Sequence, residues 1–310
     1  MSNAHHTTKR ERIGFAGLGA IGAPMAMRIL DAGHALRVFN RTPSKAAPFV
    51  QKGASLAGSA AELARECDIV FLCVSDTAAV EHLVFGPAGL AEGGRTGLLL
   101  VDLSTIHPLA TREMAARLEK LNGTAWVDAP VSGGPAGARA GTLAVMAGGE
   151  ESNVERARPV LMSFAGRVTR MGPVGCGMAT KACNQMLNYG TGAVIAEMLN
   201  FAASFGIDPA TIPEALAGGF ADSNVLRHYG KAMAEGSYKG NSLTAMKDID
   251  IILDMGRLTG SAMPVTSLVA SFFRLLIAQG FTSGGLATPM RLYAQGPLQP
   301  VVDTGQSLLD

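Results

Sequence analysis

Ile13-Gly14-Phe15-Ala16-Gly17-Leu18-Gly19-Ala20-Ile21-Gly22 is the stretch that decides the fold: four residues of an apolar run, then three glycines spaced G-x-G-x-x-G. The apolar run predicts a short buried strand. An amphipathic helix is predicted from about Ala20 to Ala32, with Pro24 in its first turn, Gly33 as its C-cap and a second strand from Leu36 to Phe39. In such a β-α-β unit Gly17 allows the tight turn, Gly19 lets a pyrophosphate approach the backbone, and Gly22 lets helix and strand pack closely. The helix start adds partial positive charge. Strand before, helix after and second strand at the right distance turn a weak glycine motif into a dinucleotide site formed by Gly17, Leu18, Gly19, Ala20, Ile21 and Gly22.

The second strand ends in Asn40-Arg41-Thr42. An NAD site usually places Asp or Glu there for the ribose 2′-hydroxyl, whereas an amide, a guanidinium and a hydroxyl suit a 2′-phosphate. NADP is therefore the expected cofactor, with NAD possible; alternatively Arg41 stacks on the adenine or faces water. Continuous apolar runs at Asp68 to Val74 and Leu98 to Leu103 predict strands of a parallel sheet covered on both faces. Ligands gather at the carboxyl ends of such strands, which makes Val74, Ser75 and Thr105 neighbours of the ribose and nicotinamide. Equally, Ser104 or Thr105 caps the helix that starts near Pro108. The run from Trp126 ends in Ser132-Gly133-Gly134, where unobstructed backbone N–H groups could hold a carboxylate; a plain glycine turn is the competing reading. A strand at Leu143 to Met146, a helix from Ser152 to Phe164 and a strand at Val168 to Met171 precede the break at Gly172-Pro173-Val174-Gly175. The fold class is thus α/β. A doubly wound parallel sheet of the Rossmann type over 12–173 precedes an all-helical domain over 174–310, built on one long helix.

That helix is predicted from about Gly175 to Phe205. Lys181, Asn184, Gln185 and Asn188 fall on one face at i, i+3, i+4 and i+7, and Leu187, Val194 and Phe201 belong to a surround so apolar that the helix reads as buried. A polar stripe inside a packed interior costs several kcal/mol unless it lines a cleft, so a catalytic cleft is one explanation and a solvated helix start the other. Further helices are predicted at Val225 to Ala234, Leu243 to Thr259 and Pro264 to Ala278, after a cap at Asp208-Pro209. Lys247 and Asp248 lie early on one of them. Exposed helix charge is the simpler reading of both, and for Asp248 it is the one adopted. The apolar face of the long helix is hard to cover in one small domain, which predicts a homodimer or homotetramer.

Composition narrows the partners. A net charge of +1, with 16% charged residues, offers no global attraction to nucleic acid or to a membrane surface, which leaves small molecules or other protein chains. Cys67, Cys73, Cys176 and Cys183 form no C-x-x-C pair, a pattern of reduced thiols in the cytoplasm. His5, His6, His34, His82, His107 and His228 make no metal-binding cluster, so no metal is expected. Met1 to Arg12 does not read as a signal peptide, Ser2-Asn3-Ala4 resembles an expression remnant, and Glu197, Asn200 and Ser204 interrupt the longest apolar stretch, so no membrane span is expected.

Four segments in order resemble the β-hydroxyacid dehydrogenase family, which includes 3-hydroxyisobutyrate dehydrogenase and tartronate semialdehyde (2-hydroxy-3-oxopropionate) reductase. They are Gly17 to Met25, Asp128-Ala129-Pro130-Val131-Ser132-Gly133-Gly134, Gly175 through Lys181 to Asn184-Gln185, and Lys247-Asp248. The resemblance implies that Lys181 is the catalytic residue and that Asn184 holds it and the substrate. It also implies that Ser132, Gly133 and Gly134 bind the substrate carboxylate, with Gln185 beside them, and that Thr105 and Lys247 line the cofactor. Many members read Lys-x-x-Asn-Asn; the Asn184-Gln185 ending here is more like the tartronate semialdehyde reductases. The implied reaction is reversible hydride transfer between a nicotinamide and a short β-hydroxy acid. Lys181, its pKa lowered by burial and by Lys247, would move the proton. The alternative substrates are 3-hydroxyisobutyrate, glyoxylate and succinic semialdehyde. The alternative of another class is a non-catalytic NADP(H)-binding sensor, which would have no need of Lys181, Asn184 and Ser132 together. A short-chain dehydrogenase is excluded, because none of Tyr189, Tyr229, Tyr238 or Tyr293 has a lysine four residues later.

Overall fold

The computed structural model describes residues 11–237 and 239–293; Ser2-Asn3-Ala4, His5, His6 and Tyr238 lie outside the described residues, as does the end of the second domain from 294. Contacts divide the chain into two compact units, residues 1–181 and 182–310.

The first unit is a sheet with helices. Its strands are β1 (Ile13–Ala16), β2 (Leu36–Phe39), β3 (Ser55–Leu56), β4 (Ile69–Leu72), β5 (Leu99–Asp102), β6 (Ala125–Asp128), β7 (Val131–Ser132), β8 (Leu143–Gly148) and β9 (Ala165–Gly172). They are ordered β3-β2-β1-β4-β5-β6-β8-β7, and β9 pairs with β8. All pairs from β3 to β6 are parallel. The chain leaves β3 on one side of β1 and re-enters the sheet as β4 on the other, so the carboxyl ends of β1 and β4 form a topological switch point.

Alternation along the strands explains the two covered faces. Ile69 and Phe71 of β4, Leu99 and Val101 of β5 and Val127 of β6 belong to one buried cluster. Their neighbours Val70, Leu72, Leu100 and Trp126 belong to a second. Successive side chains point to opposite faces, so a strand apolar at every position must be buried on both. Each buried Phe or Leu contributes about 1.5–3 kcal/mol, and Phe15, Phe71 and Phe164 link up at 6.4 Å between successive ring centroids. The first helix spans Gly22–Asp31 and closes as expected around Gly33: Gly33 N–H donates to Leu30 O (2.9 Å) and His34 N–H to Ile29 O (3.3 Å).

The far side of the sheet departs from the expected parallel pattern. β6 meets β8 antiparallel through Asp128 and Gly148, and β7 runs antiparallel to β8. β6 and β7 meet β8 on one register and so run in the same direction, and the chain turns back over Gly133 to Thr142, fewer residues than the dozen or so a parallel crossover takes.

The second unit begins within the long helix, Cys176–Ser204. Ala193, Ile195, Ala196 and Leu199 pack with Ile249, Val269, Ala270 and Phe273 from the helices Ser242–Thr259 and Pro264–Ala278. Asn241 opens the former, its Oδ1 accepting from Leu243 N (2.8 Å) and Thr244 N (3.2 Å). The helix expected at Val225 to Ala234 is present and widens into a π-turn, Leu226–Gly230, before Lys231–Ala234. Gly230 sits at this wide turn, where a Cβ would stand 3.0 Å from Leu226 Cδ1. Among the described residues the only pairing beyond β9 is an isolated bridge between Asn241 and Ser283.

The long helix is not buried on every side. Leu187, Val194, Phe201 and Phe205 are 73%, 63%, 67% and 66% exposed. At i, i+7, i+14 and i+18 they form one apolar stripe. All four cysteines are free: Cys67 buried, Cys73 and Cys176 intermediate, Cys183 exposed. Burial pushes the Cys67 thiol up to about 11 and that of Cys73 up to about 12.

Candidate active site

In the first unit the glycine loop divides by function. A Cβ on Gly17 would stand 2.2 Å from Cys73 O, and one on Gly22 would stand 2.0 Å from Gly17 O, so both glycines serve the chain's own packing. A Cβ on Gly19 would meet nothing within 4 Å. The helix after it starts without a side-chain cap at Ile21, so its first N–H groups lack the usual side-chain acceptor. An uncapped helix start beside open space, at a switch point, fits the pyrophosphate of a dinucleotide.

Asn40 braces this loop. Its Oδ1 accepts from Leu18 N (2.9 Å) and its Nδ2 donates to Thr42 O (2.9 Å), tying the loop to the end of β2. Arg41 and Thr42 are exposed beyond it. At the end of β4, Val74 is half-buried and Ser75 exposed, with Ser75 Oγ donating to Asp76 Oδ2 (2.7 Å). Neither Ser104 nor Thr105 caps the next helix. His107 does, its Nδ1 accepting from Leu109 N (3.2 Å). Ser104 is occupied elsewhere: its Oγ accepts from Val74 N (3.0 Å) and its own N–H donates to Asp102 Oδ1 (2.9 Å). This buried link joins the ends of β4 and β5 and leaves Thr105 half-buried at the sheet's carboxyl edge.

Ser132 ends β7, and Gly133 and Gly134 follow with φ of +128° and +61°, a turn leading directly into the helix Gly134–Ala140. A Cβ on Gly134 would meet nothing within 4 Å. Nearby, Asp128 caps the long helix from the end of β6, Oδ1 accepting from Gly175 N (2.7 Å) and Oδ2 from Met178 N (2.8 Å). Burial pushes its carboxyl up to about 6, against the pull of those amides. Lys181, one turn further along, is 7% exposed, which excludes the solvated helix start.

In the second unit Asp248 is 5% exposed, which corrects the expectation of exposed charge. Its Oδ2 accepts from Gln185 Nε2 (2.6 Å) and from Tyr189 OH (3.0 Å). Gln185 Nε2 also donates to Tyr189 OH (3.1 Å), while Gln185 Oε1 accepts from Asn184 Nδ2 (2.9 Å) and Asn188 Nδ2 (3.0 Å). Gln185, expected beside the substrate, has thus committed two N–H groups and two lone pairs within the chain. Lys247 Nζ lies 3.2 Å from Asp248 Oδ1, so its charge is paired within the second unit. Burial, then the charge of Asp248, raises the Tyr189 hydroxyl far above its ordinary pKa and keeps it a donor.

Sequence reasoning missed the Asp102–Ser104 link, the cap at Asp128 and the part played by Tyr189. For Asp128 there was a signal, a carboxylate closing an apolar run. Tyr189 had one too, since it continues the Lys181-Gln185 stripe at i+4 from Gln185. Among the described residues no group of three or more His, Cys, Asp or Glu could hold a metal, and no helix is long and apolar enough to cross a membrane.

Residues 12–172 match the model of the NAD binding domain of 6-phosphogluconate dehydrogenase. Residues 175–293 match that of the NAD-binding domain of NADP-dependent 3-hydroxyisobutyrate dehydrogenase. The 2-hydroxy-3-oxopropionate reductase of Escherichia coli is 34% identical over 271 residues, 87% of this chain and 92% of that protein. The NAD-dependent L-serine dehydrogenase of Pseudomonas aeruginosa is 32% identical over 292 residues, 91% of this chain and 98% of that protein. The solved 3-hydroxyisobutyrate dehydrogenase of Mycobacterium tuberculosis with L-serine superposes with a TM-score of 0.82 at 30% identity, covering 92% of this chain and all of that one.

Proposed function

Because the chain belongs to the β-hydroxyacid dehydrogenase family of NAD(P)-dependent oxidoreductases, we propose that it reversibly reduces the β-oxo group of 2-hydroxy-3-oxopropionate. The observation that carries this reading is Lys181, a lysine buried to 7% exposure one turn into a helix capped by Asp128. The choice of substrate rests on Asn184-Gln185 following it and on the similarity to the E. coli reductase. A second reading, oxidation of L-serine or a like β-hydroxy acid, is favoured by the similarity to the Pseudomonas dehydrogenase. In either case 12–173 is the cofactor domain and 174–310 the substrate and oligomerisation domain.

The bound nicotinamide supplies the hydride in reduction. Gly17, Leu18, Gly19, Ala20, Ile21 and Gly22 hold the pyrophosphate, Asn40 braces the loop, and Arg41 and Thr42 receive the 2′-phosphate of NADP. Val74, Ser75, Thr105 and Lys247 line the rest of the cofactor. Ser132, Gly133 and Gly134 take the substrate carboxylate, which fixes the carbonyl. Lys181 gives its proton to the carbonyl oxygen in reduction and removes it from the hydroxyl in oxidation, with Asn184 orienting it. The exposed stripe from Leu187 to Phe205 is covered by a second copy in a homodimer or homotetramer of the cytoplasm.

Lys181→Ala is expected to lower kcat by roughly 10²–10⁴-fold and to leave the Kd for NADPH unchanged. The measurement is NADPH oxidation with tartronate semialdehyde, followed by methylmalonate semialdehyde, succinic semialdehyde and glyoxylate. Tight NADPH binding with turnover of none of them would favour the sensor; unaltered turnover in the variant removes Lys181 from the reaction.

A further inference from the structure

We propose that Asp248, acting through Gln185, fixes which end of the Asn184 carboxamide faces the reaction, so that Gln185 and Asp248 are positioning residues and Gln185 does not bind substrate. The proposal rests on the reading of Asn184 as a catalytic-site residue given above.

The argument is one of hydrogen-bond polarity. A carboxylate accepts and cannot donate, so the group 2.6 Å from Asp248 Oδ2 must be the NH₂ of Gln185 and not its oxygen. Tyr189 imposes the same choice independently. Its hydroxyl proton goes to Asp248 Oδ2, so its oxygen can only accept from Gln185 Nε2. With nitrogen pinned at that end, Gln185 Oε1 lies at the other, where it accepts from Asn184 Nδ2 and Asn188 Nδ2. Asn184 is thereby obliged to turn its nitrogen toward Gln185 and its Oδ1 away. An acceptor at that point suits an ammonium proton; a flipped carboxamide would present N–H groups and repel it. Burial makes the constraint strong. Asp248 and Gln185 are 5% and 9% exposed, so no water supplies a replacement partner at little cost.

The test is a charge exchange. In Gln185→Glu two carboxylates face each other, and kcat is expected to fall about 10²-fold with the Kd for NADPH unchanged. In the double variant Gln185→Glu/Asp248→Asn the polarity is rebuilt, because the amide introduced at position 248 donates to the new carboxylate, which still accepts from Asn184. This variant is expected to regain kcat to within about tenfold, with KM for the semialdehyde near that of the parent. If Gln185 instead touched the anionic substrate, the double variant would keep a raised KM and a low kcat. That result, with the melting temperature and NADPH binding of the parent, overturns the proposal, as does unchanged kcat in Gln185→Glu.

If either variant fails to fold, hydrogen exchange of the side-chain NH₂ groups in the ¹⁵N-labelled parent protein decides. Slow exchange at Gln185 is expected, and exchange as fast as at an exposed amide overturns the proposal. The same measurement separates this inference from the functional reading, since it needs no turnover: a parent inactive on every semialdehyde yet slow to exchange at Gln185 refutes only the latter.

Discussion

Gly19 and Gly22 are one residue type with two causes, and substitution should tell them apart. Gly22→Ala drives a methyl to 2.0 Å from Gly17 O and is expected to lower stability strongly. Gly19→Ala has room and is expected to melt as the parent does while losing NADPH affinity about tenfold or more, read by fluorescence titration. Equal loss of stability in both variants would deny Gly19 its separate role. The glycine triplet was legible in sequence because its demands are local, set by one turn and the strand beside it. Asp248 was not. Lys-Asp early in a helix reads as solvated charge, and only contacts 59 and 63 residues away in sequence, to Tyr189 and Gln185, make it interior.

At the scale of elements, the long helix depends on a carboxylate from another strand. Asp128→Asn keeps one acceptor where two are needed, so an N–H at the start of the helix loses its partner, at a cost of about 1–3 kcal/mol in urea unfolding. An unchanged midpoint and slope would show that the cap contributes nothing. The close fit here also explains Gly148 and Gly177. A Cβ on Gly148 would stand 2.5 Å from Asp128 Oδ1, and one on Gly177 would stand 2.4 Å from Met146 O. Strands β1, β4 and β5 were readable because an unbroken apolar run has few other uses, and β2 because it follows the glycine that closes the first helix. The antiparallel return from β7 to β8 was not, because β7 has two residues and no alternation to read. The π-turn escaped because periodicity around Gly230 suits an ordinary helix equally well.

At the scale of the whole molecule, acid should reveal two opposed carboxylates. Hydrogen bonds from Arg12 hold Asp68 well below its ordinary value of 3.8, so its contribution is present above about pH 4 and is lost as pH falls further. Asp128 has the contrary sign: its folded value of about 6 exceeds the ordinary 3.8, so on its account stability declines as pH rises from about 4 to 6. Asp68→Asn is therefore expected to flatten the fall in Tm below about pH 4, and an unaltered acid slope would remove Asp68 from that account. For the proposed assembly, Phe201→Glu is expected to shift sedimentation toward the monomer; an unchanged species would remove the stripe from that proposal. The thiols, finally, differ in a way that experiment can use. Two are held protonated by their surroundings and Cys183 is exposed on the face of Leu187 and Phe201, so a maleimide dye added sparingly should attach there first wherever that face is uncovered, and its slower attachment at higher protein concentration would report a second copy settling on it without any engineered cysteine.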